Sequence, residues 1–141
     1  MDYNKELASN YFPQSKEVIR FYEKYFGDYQ WYEDGYKLIE VPYLGMEHQS
    51  AVTYGNGFSM YYGVRSKSWP MYGVIDPLII HETGHEWFGN SVTASDPTHI
   101  WIHEGLQVYS ESIYFEDKFN SYEVGVHYLN TCLLYTSPSP R

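Results

Sequence analysis

The stretch His81-Glu82-Thr83-Gly84-His85 sets two histidines four positions apart, with a glutamate beside the first. On a helix, positions i and i+4 share one face about one turn apart, so both imidazoles can reach a single point. Two neutral imidazoles suit zinc, which takes nitrogen, sulfur and carboxylate oxygen in a tetrahedral shell. A third protein ligand is needed, and catalysis requires the fourth position open. Glu104 fits the third place, because it opens what reads as the next helix. Glu82 is placed to act as a general base toward a water at the metal. The pattern therefore predicts one zinc per chain, held by His81, His85 and Glu104. A buried helix with merely hydrogen-bonded histidines is the bland alternative, and the downstream Glu104 weighs against it.

The flanks support a helix here. Asp76 can cap the first free amides, and Pro77 suits the first helical position. Leu78, Ile79 and Ile80 follow as an apolar run, and Gly89-Asn90 predicts the end. Upstream, residues 1–14 read as a lead-in. Ser15 reads as an N-cap, with Val18, Ile19, Tyr22, Tyr25 and Phe26 at helical spacing and Gly27 as the stop. Tyr36–Val41 predicts a strand ended by Pro42, and Ala51–Tyr54 a second one. Phe58–Gly73 is rich in Gly, Ser and Tyr and reads as a surface excursion. Asp96-Pro97-Thr98 signals a new helix with an apolar stripe of Ile102, Leu106, Tyr109 and Ile113. Asn120 with Glu123 reads as a capping box for a last helix to about Asn130.

Composition narrows the function classes. Eighteen Asp+Glu against nine Lys+Arg give a formal charge of -9, with no basic block, which argues against a nucleic-acid surface. The lone Cys132 excludes an intrachain disulfide framework and a cysteine zinc site. No apolar run is long enough to span a bilayer, and the first residues lack the apolar core of a signal peptide. Aromatic residues make up 20% of the chain, so tyrosines are expected in the core or lining a cleft. At Cys132–Arg141 the composition shifts abruptly and ends in Ser-Pro-Ser-Pro-Arg. The expected division is one partial domain over residues 1–131 and a non-native or disordered tail over 132–141.

Three motifs together carry a family resemblance: Gly45-Met46-Glu47, the His81-Glu82-x-x-His85 pair with Glu104 downstream, and Trp87-Phe88-Gly89-Asn90. Over roughly residues 20–131 the chain resembles the M1 family of zinc aminopeptidases, the gluzincins typified by aminopeptidase N and leukotriene A4 hydrolase. Two positions depart from the family pattern, where His48 and His103 each replace an Asn. The resemblance implies an α+β fold of the thermolysin-like zincin type, a small β-sheet followed by helices carrying the zinc site. It implies removal of N-terminal residues from peptides. It also gives Glu47 the role of binding the substrate's free α-amine, with Gly45 and Met46 lining the substrate path.

Glu111 lies seven residues after Glu104 on the same helix face and could orient a ligand histidine. His99 and His103 repeat the i, i+4 spacing without an adjacent glutamate or a third ligand, and are not read as a second centre. Glu86 and Trp87 read as packing or surface residues. The family's transition-state tyrosine lies several dozen residues beyond the third ligand, and its β-domain and helical domain flank this segment. An internal fragment of a larger enzyme, impaired alone, is thus the expectation. A zincin endopeptidase and a non-catalytic zinc-binding module stay open as alternatives.

Overall fold

The computed structural model describes residues 4–58 and 75–136. The element order is α1 (Lys5–Tyr11), a 3-10 turn (Phe12–Gln14), α2 (Ser15–Phe26), β1 (Lys37–Glu40), β2 (Gly45–Met46) and β3 (Ala51–Tyr54). It continues with α3 (Pro77–Gly84), a 3-10 segment (Pro97–Ile102), α4 (Glu104–Phe119) and α5 (Tyr122–Thr136). The class is α+β: three short strands and a set of helices.

β3 is the central strand, in the order β1-β3-β2. It runs parallel to β1, with Leu38 beside Val52, and antiparallel to β2, with Met46 beside Thr53. Its β-branched and aromatic residues suit that place, and Val52, Thr53 and Tyr54 are all buried. β2 is an edge strand, and it faces α3 closely. A methyl group added at Gly45 would lie 2.5 Å from Glu82 Oε1. The space at Gly45 is thus occupied from within the chain by the Glu82 carboxylate.

The core lies where α2, α3 and α4 meet. Val18, Phe21 and Tyr22 of α2 pack with Leu78, Ile79 and Ile80 of α3, Trp87, and Tyr114 and Phe115 of α4. Tyr22 stacks on Trp87 with ring centroids 5.0 Å apart, and Phe21 meets Tyr114 edge-on at 5.0 Å. The aromatic excess is spent largely on this core. α3 and α4 approach closely because Gly84 has no side chain; a methyl there would stand 2.2 Å from both Gln107 Oε1 and the Tyr22 hydroxyl.

Several local expectations are corrected. The lead-in is helical, as α1 and a 3-10 turn. Ser15 is not an N-cap: its backbone is already right-handed helical, whereas a cap needs an extended one, and its hydroxyl donates back to the Phe12 carbonyl. The predicted stripe on α4 is not its buried face. Tyr109 is exposed, and the buried positions are Gln107, Ser110, Glu111, Ser112, Tyr114 and Phe115. A polar interface cannot be found by looking for apolar periodicity. Asn120 does not cap α5 but ends α4, in the left-handed conformation at φ 47°. The last helix runs on to Thr136, past the expected Asn130. Apart from Phe58, which is buried against Tyr11, Phe12 and Tyr54, the stretch read as a surface excursion lies outside the described residues. So does the Ser-Pro-Ser-Pro end of the tail.

Candidate metal centre

α3 begins as its sequence requires. The Asp76 side chain accepts from the Leu78 amide at 3.0 Å, and Pro77 occupies the first turn. Asp76 is fully buried and also accepts from Tyr54 and Asn56, so this end of the helix is fixed to β3 and the turn after it. The other end differs from expectation. The α-helix stops at Gly84, not at Gly89-Asn90, and His85 is its C-cap residue with φ −61° and ψ −17°. The backbone then widens, with Asn90, Ser91 and Val92 amides donating five residues back to His85, Glu86 and Trp87. His85 still keeps helical dihedrals, which preserves the i, i+4 relation to His81.

The two imidazoles meet. His81 Nε2 and His85 Nε2 are 3.2 Å apart, with the rings edge-on. Each Nδ1 is already committed. His81 Nδ1 donates to Glu111 Oε1 at 2.7 Å, and His85 Nδ1 donates to the Phe88 carbonyl at 2.8 Å. With each Nδ1 donating elsewhere, both Nε2 atoms turn toward one point, where either a proton shared between the rings or a metal ion can sit. Glu104 closes the group. Its Oε2 lies 3.6 Å from His81 Nε2 and 3.8 Å from His85 Nε2. Donors at 2.0–2.2 Å from a tetrahedral zinc would be about 3.3–3.6 Å from one another. The triangle of 3.2, 3.6 and 3.8 Å thus fits one such ion with small adjustments. His85 is buried, while the Glu104 side chain is 49% exposed, so the group reaches solvent at Glu104.

A second acidic wall adjoins it. One donor atom each from Glu47, Glu82 and His85 lie within 4.8 Å of one another. Glu47 stands between β2 and β3, and Glu82 is buried on α3. Burial pushes the Glu82 carboxyl up to about 7; His81 opposes the shift, and Glu47, Glu104 and Glu111 reinforce it. Burial disfavours a charged His81, but Glu111, Glu82 and Glu104 outweigh it and raise this histidine to about 9. Burial and then His81 lower His85. This field of carboxylates draws positive charge into the space where the two Nε2 atoms point.

Glu111 lies against His81. It is buried on α4, accepts from His81, and accepts from the Tyr128 hydroxyl of α5 with its other oxygen. Both carboxylate oxygens are thereby fixed. Replacing Glu111 by alanine is expected to weaken zinc binding by about 10- to 100-fold, because the His81 ring loses its orientation. Titration against a chromogenic chelator reads this directly, and an unchanged affinity would remove Glu111 from the site.

Sequence reasoning missed Tyr128, because nothing in the local pattern fixes how α5 packs on α4. It also set Glu86 aside, although this residue is buried and bonded to the Ser50 amide. His103 accepts from the Ala94 amide at 2.9 Å, and His48 is exposed. Among the described residues, no cluster of three metal-type side chains includes His99 or His103.

The comparisons with known proteins bear on this geometry. The peptidase family M1 domain matches residues 11–137. The chain belongs to peptidase family M1. It is 31% identical over 121 residues to endoplasmic reticulum aminopeptidase 2 of Homo sapiens, covering 84% of this chain and 12% of that protein. Aminopeptidase M1-C of Oryza sativa subsp. japonica is 26% identical over 116 residues, 80% of this chain and 13% of that protein. Aminopeptidase Q of Acinonyx jubatus is 44% identical over a shorter span of 54 residues, 36% of this chain and 5% of that protein. The chain thus spans a small part of the length of these curated relatives. No solved structure matches the chain significantly. No described helix is long and apolar enough to cross a membrane.

Proposed function

We propose that this M1 segment forms the catalytic zinc centre of an aminopeptidase, in a thermolysin-like zincin arrangement. The observation that carries the reading is the pair of facing Nε2 atoms, each freed for a metal by a bonded Nδ1, with Glu104 completing the triangle. His81, His85 and Glu104 would hold one zinc ion. When bound, zinc polarises a peptide carbonyl and lowers the pKa of water in its shell.

The remaining chemistry belongs to the chain's own groups. Glu82 is the general base: buried beside the metal ligands, with a carboxylate oxygen in the same space as His85 and Glu47, it can take a proton from water and return it to the leaving amine. Glu47 faces the same space and would hold the substrate's α-ammonium by a charge-assisted hydrogen bond. Anchoring that ammonium fixes the first peptide bond over the metal and makes the reaction N-terminal. Peptides with a free N-terminus are the substrates this arrangement suits.

The test places residues 11–137 into the matching segment of a longer relative and assays aminoacyl-nitroanilides. Glu47→Gln is expected to lower kcat/KM on free-amine substrates by at least about tenfold, with zinc retained. N-acetylated substrates should be cleaved poorly by the parent chimera. Equal rates on free and blocked N-termini would favour an endopeptidase instead.

A further inference from the structure

Glu86 and Asn90 lie on the turn that follows His85, four positions apart, and both reach across to the stretch that carries Glu47. Glu86 Oε1 accepts from the Ser50 amide at 2.6 Å in a buried contact. Asn90 Nδ2 donates to the Glu47 carbonyl oxygen at 3.1 Å, and to Glu86 Oε2 at 3.5 Å. The two ends of residues 47–50 are therefore gripped by two side chains of the metal-binding segment. Glu86 is 1% exposed. A carboxylate that deep costs stability unless it is well bonded, which argues that the contact has a use beyond filling space.

The gripped stretch would not hold its shape by itself. Ser50 sits in the left-handed region at φ 58°, a conformation that is costly for a side-chain-bearing residue and persists only where the surroundings enforce it. The strong bond from its amide to Glu86 is one such constraint, and the contact of its hydroxyl with Tyr29 at 3.3 Å is another. Within residues 46–51 the bonds are short-range, from the His48 amide to Met46 and from the Ala51 amide to His48; from outside, the Lys37 amide bonds the Ser50 carbonyl and Gln49 donates to Asp34 at the surface, and neither touches Glu47.

We infer that Glu86 and Asn90 are positioning residues that set the distance between the metal centre and the Glu47 carboxylate. This rests on the reading of Glu47 as the anchor for a substrate ammonium. His85 precedes Glu86 directly, so the element that holds the ligand also holds the anchor loop, and the spacing between the two subsites is built into one turn. The consequence is selective. Loosening the clamp should cost recognition of the α-amine while leaving the grip on zinc intact, since neither side chain touches a metal-ligand atom.

The experiment uses the zinc-loaded full chain and two probes that differ only in the amine, leucine hydroxamate and its desamino analogue, measured by calorimetry beside zinc content. The parent chain should prefer the amine-bearing probe by about 10- to 100-fold, the worth of one charge-assisted hydrogen bond. Glu86→Leu and Asn90→Ala should keep their zinc and bind the desamino probe as the parent does, yet lose most of that preference. Glu86→Gln keeps an acceptor for the Ser50 amide and should retain most of it. If Glu86→Leu loses zinc through misfolding, Asn90→Ala decides the matter. Variants that hold zinc and still discriminate like the parent would overturn the clamp. A parent chain that binds both probes equally would instead overturn the Glu47 reading, and the clamp's purpose with it.

Discussion

Glu82→Gln should lower kcat by about 100- to 10,000-fold while leaving zinc content unchanged, the range lost when a general acid–base group is removed. The separation of the two effects follows from position. Glu82 lies between the ligand histidines in sequence but is not one corner of the His81–His85–Glu104 triangle. Glutamine has nearly the same shape, so the close approach of Gly45 to this side chain is undisturbed. What changes is the ability to accept a proton. In the metal-free chain burial raises this carboxyl to about 7, and a bound cation would favour its ionised form, the form that accepts a proton. The measurement is single-turnover cleavage of an aminoacyl-nitroanilide by the chimera, with zinc determined on the same sample. A variant that loses zinc along with activity would mean that Glu82 holds the metal.

Removing zinc should change stability in a pH-dependent way whose sign is fixed by the shifts. In the metal-free chain His81 is raised from 6.5 to about 9, so its contribution is fully present below 6.5 and is lost as pH rises toward 9. Glu82 is raised from 4.5 to about 7, and its contribution is likewise lost between those values as pH rises. His85, which is lowered, acts in the opposite sense up to 6.5, so the metal-free protein should weaken from about pH 6.5 to pH 9. Zinc acts in the opposite sense, because a ligating histidine must be neutral and protons compete with the metal. The rise in Tm on adding zinc should be small near pH 6 and largest near pH 9. A thermal series with chelator or with zinc at each pH reads both trends. A zinc-induced rise that shrinks with increasing pH would contradict the account.

The His81–His85–Glu104 cluster was legible in part because the histidine pair is short-range. His81 and His85 share one turn; Glu104 begins the next long helix and reaches them because α4 packs on α3. Glu111 was singled out by counting along α4. The clamp of Glu86 and Asn90 was not legible, since it depends on which loop packs across the turn after His85, and that is decided by the sheet. The buried face of α4 was misread because Gln107, Ser110 and Glu111 are polar. They are satisfied by Tyr22, the Ile80 carbonyl and His81, partners that lie on other helices. Sequence periodicity sees apolar stripes and is blind to a polar seam of this kind. The early end of α3 at Gly84 was hidden as well. Gly89-Asn90 looks like a terminator, yet the α-helix ends at Gly84 and the later amides bond five residues back.

The most direct test of the central claim is the metal stoichiometry of the purified chain beside His85→Ala. His85 is buried, its Nδ1 is fixed by the Phe88 carbonyl, and its Nε2 faces both other donors. One zinc per chain is predicted for the parent. The folded variant, dialysed against submicromolar free zinc and checked by circular dichroism, should retain almost none. Stoichiometric zinc in a folded His85→Ala chain would contradict the site.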